Sequence, residues 1–70
     1  MFNKILNNPS KYLLRTNDNT MEKVIIDLNG KVVLKLNNTQ HFELTNALNV
    51  DYLTTLENGD NYYELTSDEE

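Results

Sequence analysis

Seventy residues with no cysteine and a net charge of −5 make one small domain without disulfide staples, thiolate nucleophiles or cysteine metal sites. A chain this short buries only about 60% of the surface its unfolded form exposes, so its stability is expected to be marginal, and any reinforcement would come from a partner or from self-association. No apolar run approaches the roughly 18–20 residues that cross a bilayer, and the N-terminus lacks the long apolar stretch of a signal peptide; the expected compartment is a reducing cytoplasm. Charge is segregated along the chain. All six Lys and Arg residues lie between Met1 and Lys35 beside three carboxylates, giving +3, whereas residues 36–70 hold eight carboxylates and no cation, giving −8. Like charges gathered on one patch oppose compaction, so the segregation points to solubility or to a cationic partner.

Phe2, Ile5 and Leu6 have helical spacing. Asn8-Pro9-Ser10 restarts the pattern, with Asn as N-cap and Pro at the first helical position, where its missing N–H costs nothing. Tyr12, Leu13 and Leu14 then form a short apolar stripe, so residues 9–15 are read as a helix, with a strand as the alternative. Residues 16–20 are a loop. Residues 22–36 hold two β-branched runs around Asp27-Leu28-Asn29-Gly30-Lys31, a hairpin signal. A three-residue loop with Gly30 in the left-handed conformation pairs Asp27 with Lys31 and Ile26 with Val32. That register gathers Val24, Ile26, Val32, Leu34 and Leu36 on one face. The other face carries Lys23, Lys31 and Lys35 around an apolar island of Ile25 and Val33, which is either covered by the rest of the fold or is a self-association surface for a homodimer.

Residues 37–39 are read as a turn; they match a glycosylation acceptor, which has no use without export. Residues 40–45 alternate as a strand, with Phe42 and Leu44 inward and His41 and Glu43 outward. Residues 47–57 fit a helix or a strand. The strand is preferred because Asn58-Gly59 can close a two-residue hairpin with residues 60–66, bringing Val50, Tyr52, Leu56, Tyr63 and Leu65 together. The opposite face of this second hairpin then holds Asp51, Glu57, Asp60 and Glu64, interleaved with Tyr62, Leu53 and threonines. Glu57 and Asp60 would face each other, a like-charge pair that costs roughly a few tenths of a kcal/mol. Residues two apart on a strand are about 7 Å apart, comparable to two steps of a nucleic-acid strand at roughly 3.4 Å per charge.

The ligand inventory argues against other chemistries. His41 and Glu43 give at most two ligands where zinc needs three or four, no motif surrounds the lone histidine, and both glycines are used in turns, leaving no phosphate-cradling loop. No enzyme activity, cofactor or metal is expected. The net charge repels nucleic acid itself. The fold expected is α+β: a short N-terminal helical segment packed on an antiparallel β-meander of four to five strands, with residues 1–66 as the domain and 67–70 as an acidic tail.

In size and composition the chain resembles the small acidic antagonists that phages and mobile elements carry against restriction, repair or RNA-guided nuclease systems. The resemblance implies an inhibitor that mimics DNA and fills the groove of a basic nucleic-acid-binding protein. Asp51, Glu57, Asp60, Glu64 and the tail residues Asp68, Glu69 and Glu70 would stand in for phosphates, with Tyr62 as packing anchor and Glu43 as a further partner-binding residue. The alternative is an assembly module, in which the lysine face of one copy meets the acidic face of the next to build a homo-oligomer or a subunit of a larger complex.

Overall fold

The structure, a computed structural model, describes residues 1–67. Helix α1 (Phe2–Asn7) and a 3₁₀ turn (Pro9–Lys11) lead into β1 (Tyr12–Asn17), β2 (Lys23–Asp27) and β3 (Val32–Lys35). Helix α2 (Asn38–Ala47) then connects to β4 (Leu48–Thr55) and β5 (Asp60–Ser67). The strands form one antiparallel sheet in the order β3-β2-β1-β5-β4. The fold is therefore α+β, with a short N-terminal helix and five strands, as composition and pattern predict. Strands β1 to β3 meander, and the β4–β5 hairpin joins them through β5 against β1.

Both helices pack on the same side of the sheet. Ile5 of α1 and Leu44 of α2 meet Tyr12, Leu14, Ile25, Leu48 and Leu65 in a single core. Strand alternation turns Leu13, Arg15, Val24, Ile26, Tyr62 and Glu64 to the other side, which no helix covers among the described residues. Val24 and Ile26 are buried even there, because inner strand β2 is flanked by Leu13 and Arg15 of β1 and by Val32 and Lys35 of β3.

Three sequence expectations are corrected. Helical structure beyond Asn8 stops at Lys11, and residues 12–17 are the central strand, with Tyr12 and Leu14 buried and Leu13 and Arg15 on the other face. As a strand this segment pairs with both β2 and β5, whereas an isolated helix so short barely repays its nucleation. Asn8 stands at the N-cap of the 3₁₀ turn with Pro9 at its first position, as expected, but its side chain serves α1 instead: Nδ2 donates to the Lys4 carbonyl at 3.1 Å. Residues 40–45 are helical, not extended. Asn37 Oδ1 accepts from the Gln40 N–H at 2.7 Å and Gln40 Oε1 from the Asn37 N–H at 3.2 Å, a capping box that satisfies two otherwise unpaired donors and starts α2. Leu44 enters the core as expected, while Phe42, expected inward, is 67% exposed.

The first hairpin begins in the expected register. Gly30 has φ +88°, the Asp27 N–H donates to the Lys31 carbonyl, and the Asp27 carboxylate accepts from the backbone of Asn29 and Lys31. Ile26 faces Val32, but the ladder then slips by one, so that Ile25 faces Leu34 and Val24 faces Lys35. A one-residue slip reverses the faces. The expected apolar face is thereby divided, with Leu34 and Leu36 packing on the core and Val24, Ile26 and Val32 on the far side. Of the two options for the Ile25 and Val33 island, the fold takes the covered one: Ile25 has no exposed surface and Val33 packs against the core.

The strand reading of residues 47–57 holds, but the turn has three residues, not two. The Leu56 N–H donates to the Asp60 carbonyl at 2.8 Å and the Gly59 N–H, at φ +92°, to the Leu56 carbonyl at 3.0 Å. This ladder also slips once, at Leu53. Strand β5 continues through Ser67, the first residue of the expected tail; Asp68, Glu69 and Glu70 lie outside the described residues.

Candidate functional site: the open acidic sheet face

The slip at Leu53 decides which carboxylates meet. Asp51 lies directly opposite Glu64, Thr54 opposite Tyr62 and Asn49 opposite Thr66, all on the face that the helices leave open. The expected Glu57–Asp60 pair does not form; Asp51 and Glu64 replace it as the like-charge pair. Directly opposed residues hold their Cβ atoms about 5 Å apart, and such a pair costs roughly a few tenths of a kcal/mol. Both side chains are exposed, and Tyr62, half-buried beside them, faces Arg15 across β1. Strands β4 and β5 carry no cation.

The other candidate residues separate from this pair. Glu57 is exposed in the turn. Glu43 stands on α2, on the helix-covered side. Asp60 is committed to the fold, accepting from Asn17 Nδ2 at 2.6 Å and from Asn58 Nδ2 at 3.2 Å.

The sequence points to asparagine only in turns and caps, yet asparagines also fasten this hairpin through their side chains. Asn17 Oδ1 accepts from the N–H groups of Asn19 and Thr20, Asn19 Nδ2 donates to the Asn58 carbonyl, and the Asp18 N–H donates to the Gly59 carbonyl. The β1–β2 loop is thereby tied to the β4–β5 turn. Behind it, buried Asn61 donates to Thr16 Oγ1 at 3.3 Å and Asp18 Oδ1 at 2.9 Å and accepts from Thr55 Oγ1 at 2.6 Å; Thr55 also meets the Tyr52 hydroxyl. Tyr52 in turn packs edge-on against Tyr63, with ring centroids 5.9 Å apart. The available signal was position: Asn61 occupies an inward slot in the alternation it shares with Tyr63 and Leu65.

On the helix-covered side a groove of about 620 Å³ opens between α2 and the sheet, with Leu14, Leu48, Val50 and Tyr63 among its apolar lining residues and Met21, Lys23 and His41 also bordering it. Met21 stands there in the left-handed region at φ +65°, where methionine is uncommon. Burial, and then the Lys23 charge, lower the His41 pKa, favouring neutral imidazole.

Among the described residues no group of three or more His, Cys, Asp or Glu is placed to hold a metal ion, and no helix is long and apolar enough to cross a membrane. Comparison of the chain with protein-family models, curated proteins and solved structures found no match.

Proposed function

We propose that this protein is a non-enzymatic inhibitor acting in the cytoplasm, which presents the open face of β4 and β5 to the nucleic-acid groove of a basic protein, in the manner of a phage or mobile-element counter-defence factor. The observation that carries the reading is the Asp51–Glu64 pair. Two carboxylates set side by side on an uncovered sheet work against the fold, and their repulsion is relieved when lysine or arginine binds. Tyr62 and Thr54 between them and the turn supply the packing and hydrogen-bonding surface that a stack of sugars and bases would offer such a groove. Asp51, Glu64 and Glu57 are the phosphate substitutes within the described residues, while Asp60 holds the turn that presents them.

The test is capture of nucleic-acid-binding proteins from lysate on the tagged protein, with excess duplex DNA as competitor and with the double variant Asp51→Lys, Glu64→Lys. The expected result is a partner that DNA displaces and that the variant loses, while the variant's circular dichroism and melting temperature stay close to those of the parent. Retention of the same partner by the variant and in the presence of DNA would contradict mimicry.

A further inference from the structure

The sheet ends in two free edges of opposite design. Strand β3 is four residues long with Lys35 at its end and Lys31 just before its start, whereas β4 is eight residues long with no Lys, Arg or Pro. Short edges studded with lysine resist the addition of another strand, and long edges without cations accept one. Every residue from 51 to 58 is exposed, including Tyr52 at 59% and Leu53 at 50%. The slip at Leu53 leaves residues 48–52 in regular register with β5, a stretch of ordinary strand length whose outer backbone groups have no sheet partner among the described residues.

Charge selects the occupant. A second copy pairing through its own β4 would bring Asp51, Glu57 and Glu64 of both copies together with no cation between them. A strand carrying lysine or arginine complements them. Side-chain alternation sets the pattern, because residues facing each other across a ladder share a side of the sheet: the neighbour of Asp51 emerges on the acidic face, while the neighbours of Val50 and Tyr52 emerge on the helix-covered side with those apolar groups. We infer that the β4 edge at residues 48–52 takes up an extended segment of a partner protein in which Lys or Arg alternates with apolar residues. The inference rests on the proposed function, for which it supplies the docking mode: main-chain pairing gives affinity, and the alternating side chains select the segment.

The probe is a ten-residue peptide alternating Lys and Val, set against the same peptide N-methylated at two adjacent central residues, which keeps the charge and obstructs both backbone edges. The parent peptide is expected to bind at least tenfold more tightly than the methylated one and to slow amide exchange of residues 48–52 at least tenfold, leaving β3 unchanged. Equal binding of the two peptides with exchange in β4 unaltered would overturn strand addition and leave the acidic-face reading standing. Failure of both peptides to bind, while a DNA-displaced partner is still captured, would overturn the edge inference alone. Concentration-dependent protection of residues 48–52 in the protein by itself would overturn the choice of occupant in favour of a second copy.

Discussion

The two hairpins are built alike and held differently. Each turns through three residues closed by a glycine at positive φ, and each ladder slips once. Yet β2 buries three successive residues, Val24, Ile25 and Ile26, whereas β4 buries only Leu48 and leaves the rest of its length half-buried or open. The first hairpin is secured by apolar burial. The second is secured by the Asn17–Asn58–Asp60 and Asn61–Asp18–Thr55 contacts at one end and by Leu65 at the other. A domain too small to bury both hairpins can still hold the second one firmly, and what that hairpin displays is then free to serve binding.

The largest effect follows from burial. Ile25→Ala should cost about 2–5 kcal/mol, a large share of the roughly 4–10 kcal/mol expected for a chain of this size, whereas Leu53→Ala on the acidic hairpin should cost under about 0.5 kcal/mol. Urea unfolding measures both, and equal costs would break the comparison. Next comes the polar anchor: Asn61→Ala strands Asp18, Thr16 and Thr55 and should cost about 1–3 kcal/mol. Amide exchange should accelerate more in β4 and β5 than in β2 and β3, since the loss falls on the hairpin that lacks apolar reinforcement.

The glycines sharpen the contrast. Alanine at either position enters the left-handed region at a cost of roughly 1 kcal/mol. At Gly30 a Cβ meets nothing within 4 Å, but at Gly59 it would lie 2.8 Å from Asn19 Nδ2 and push aside the amide that donates to the Asn58 carbonyl. Gly59→Ala should therefore lower the melting temperature more than Gly30→Ala; the reverse order would show that the asparagine contacts contribute little.

How much of this was legible in the sequence depended on how many signals agreed. Asn29-Gly30 and Asn58-Gly59 marked both turns, and the −8 charge of the second half marked the acidic hairpin. The slips at Val33 and Leu53 were not legible, because a bulge leaves no mark in a pattern where residues on both sides are apolar or exposed. Val24-Ile25-Ile26 shows why: on an inner strand all three are buried, so alternation cannot say which one faces the helices. Helix α2 was missed because Phe42 and Leu44 also fit alternation, while the deciding feature, Asn37 three residues before Gln40, is a capping pattern. For the site, alternation did place Asp51, Tyr62 and Glu64 on one face, but neither the direct opposition of Asp51 and Glu64 nor the structural employment of Asp60 was legible, since the first depends on the slip at Leu53 and the second on Asn17, 43 residues away in sequence.

The smallest effect is one of pH. With its pKa lowered in the fold by burial and by Lys23, His41 binds a proton more readily when the chain is unfolded. Stability is thus complete above the usual histidine value near 6.5 and falls as pH drops through it toward the folded-state pKa. His41→Gln should flatten that slope below the usual histidine value near 6.5 without altering partner capture, because the imidazole lies on the side of the sheet away from Asp51 and Glu64.

The measurement that tests the central claim most directly is a competition titration: the captured basic partner, labelled duplex DNA, and increasing amounts of this protein. The account predicts mutually exclusive binding, with the apparent Kd for DNA rising in proportion to the protein added and the Asp51→Lys, Glu64→Lys variant leaving it unchanged. A ternary complex of partner, DNA and this protein, with the DNA affinity unaffected, would contradict it.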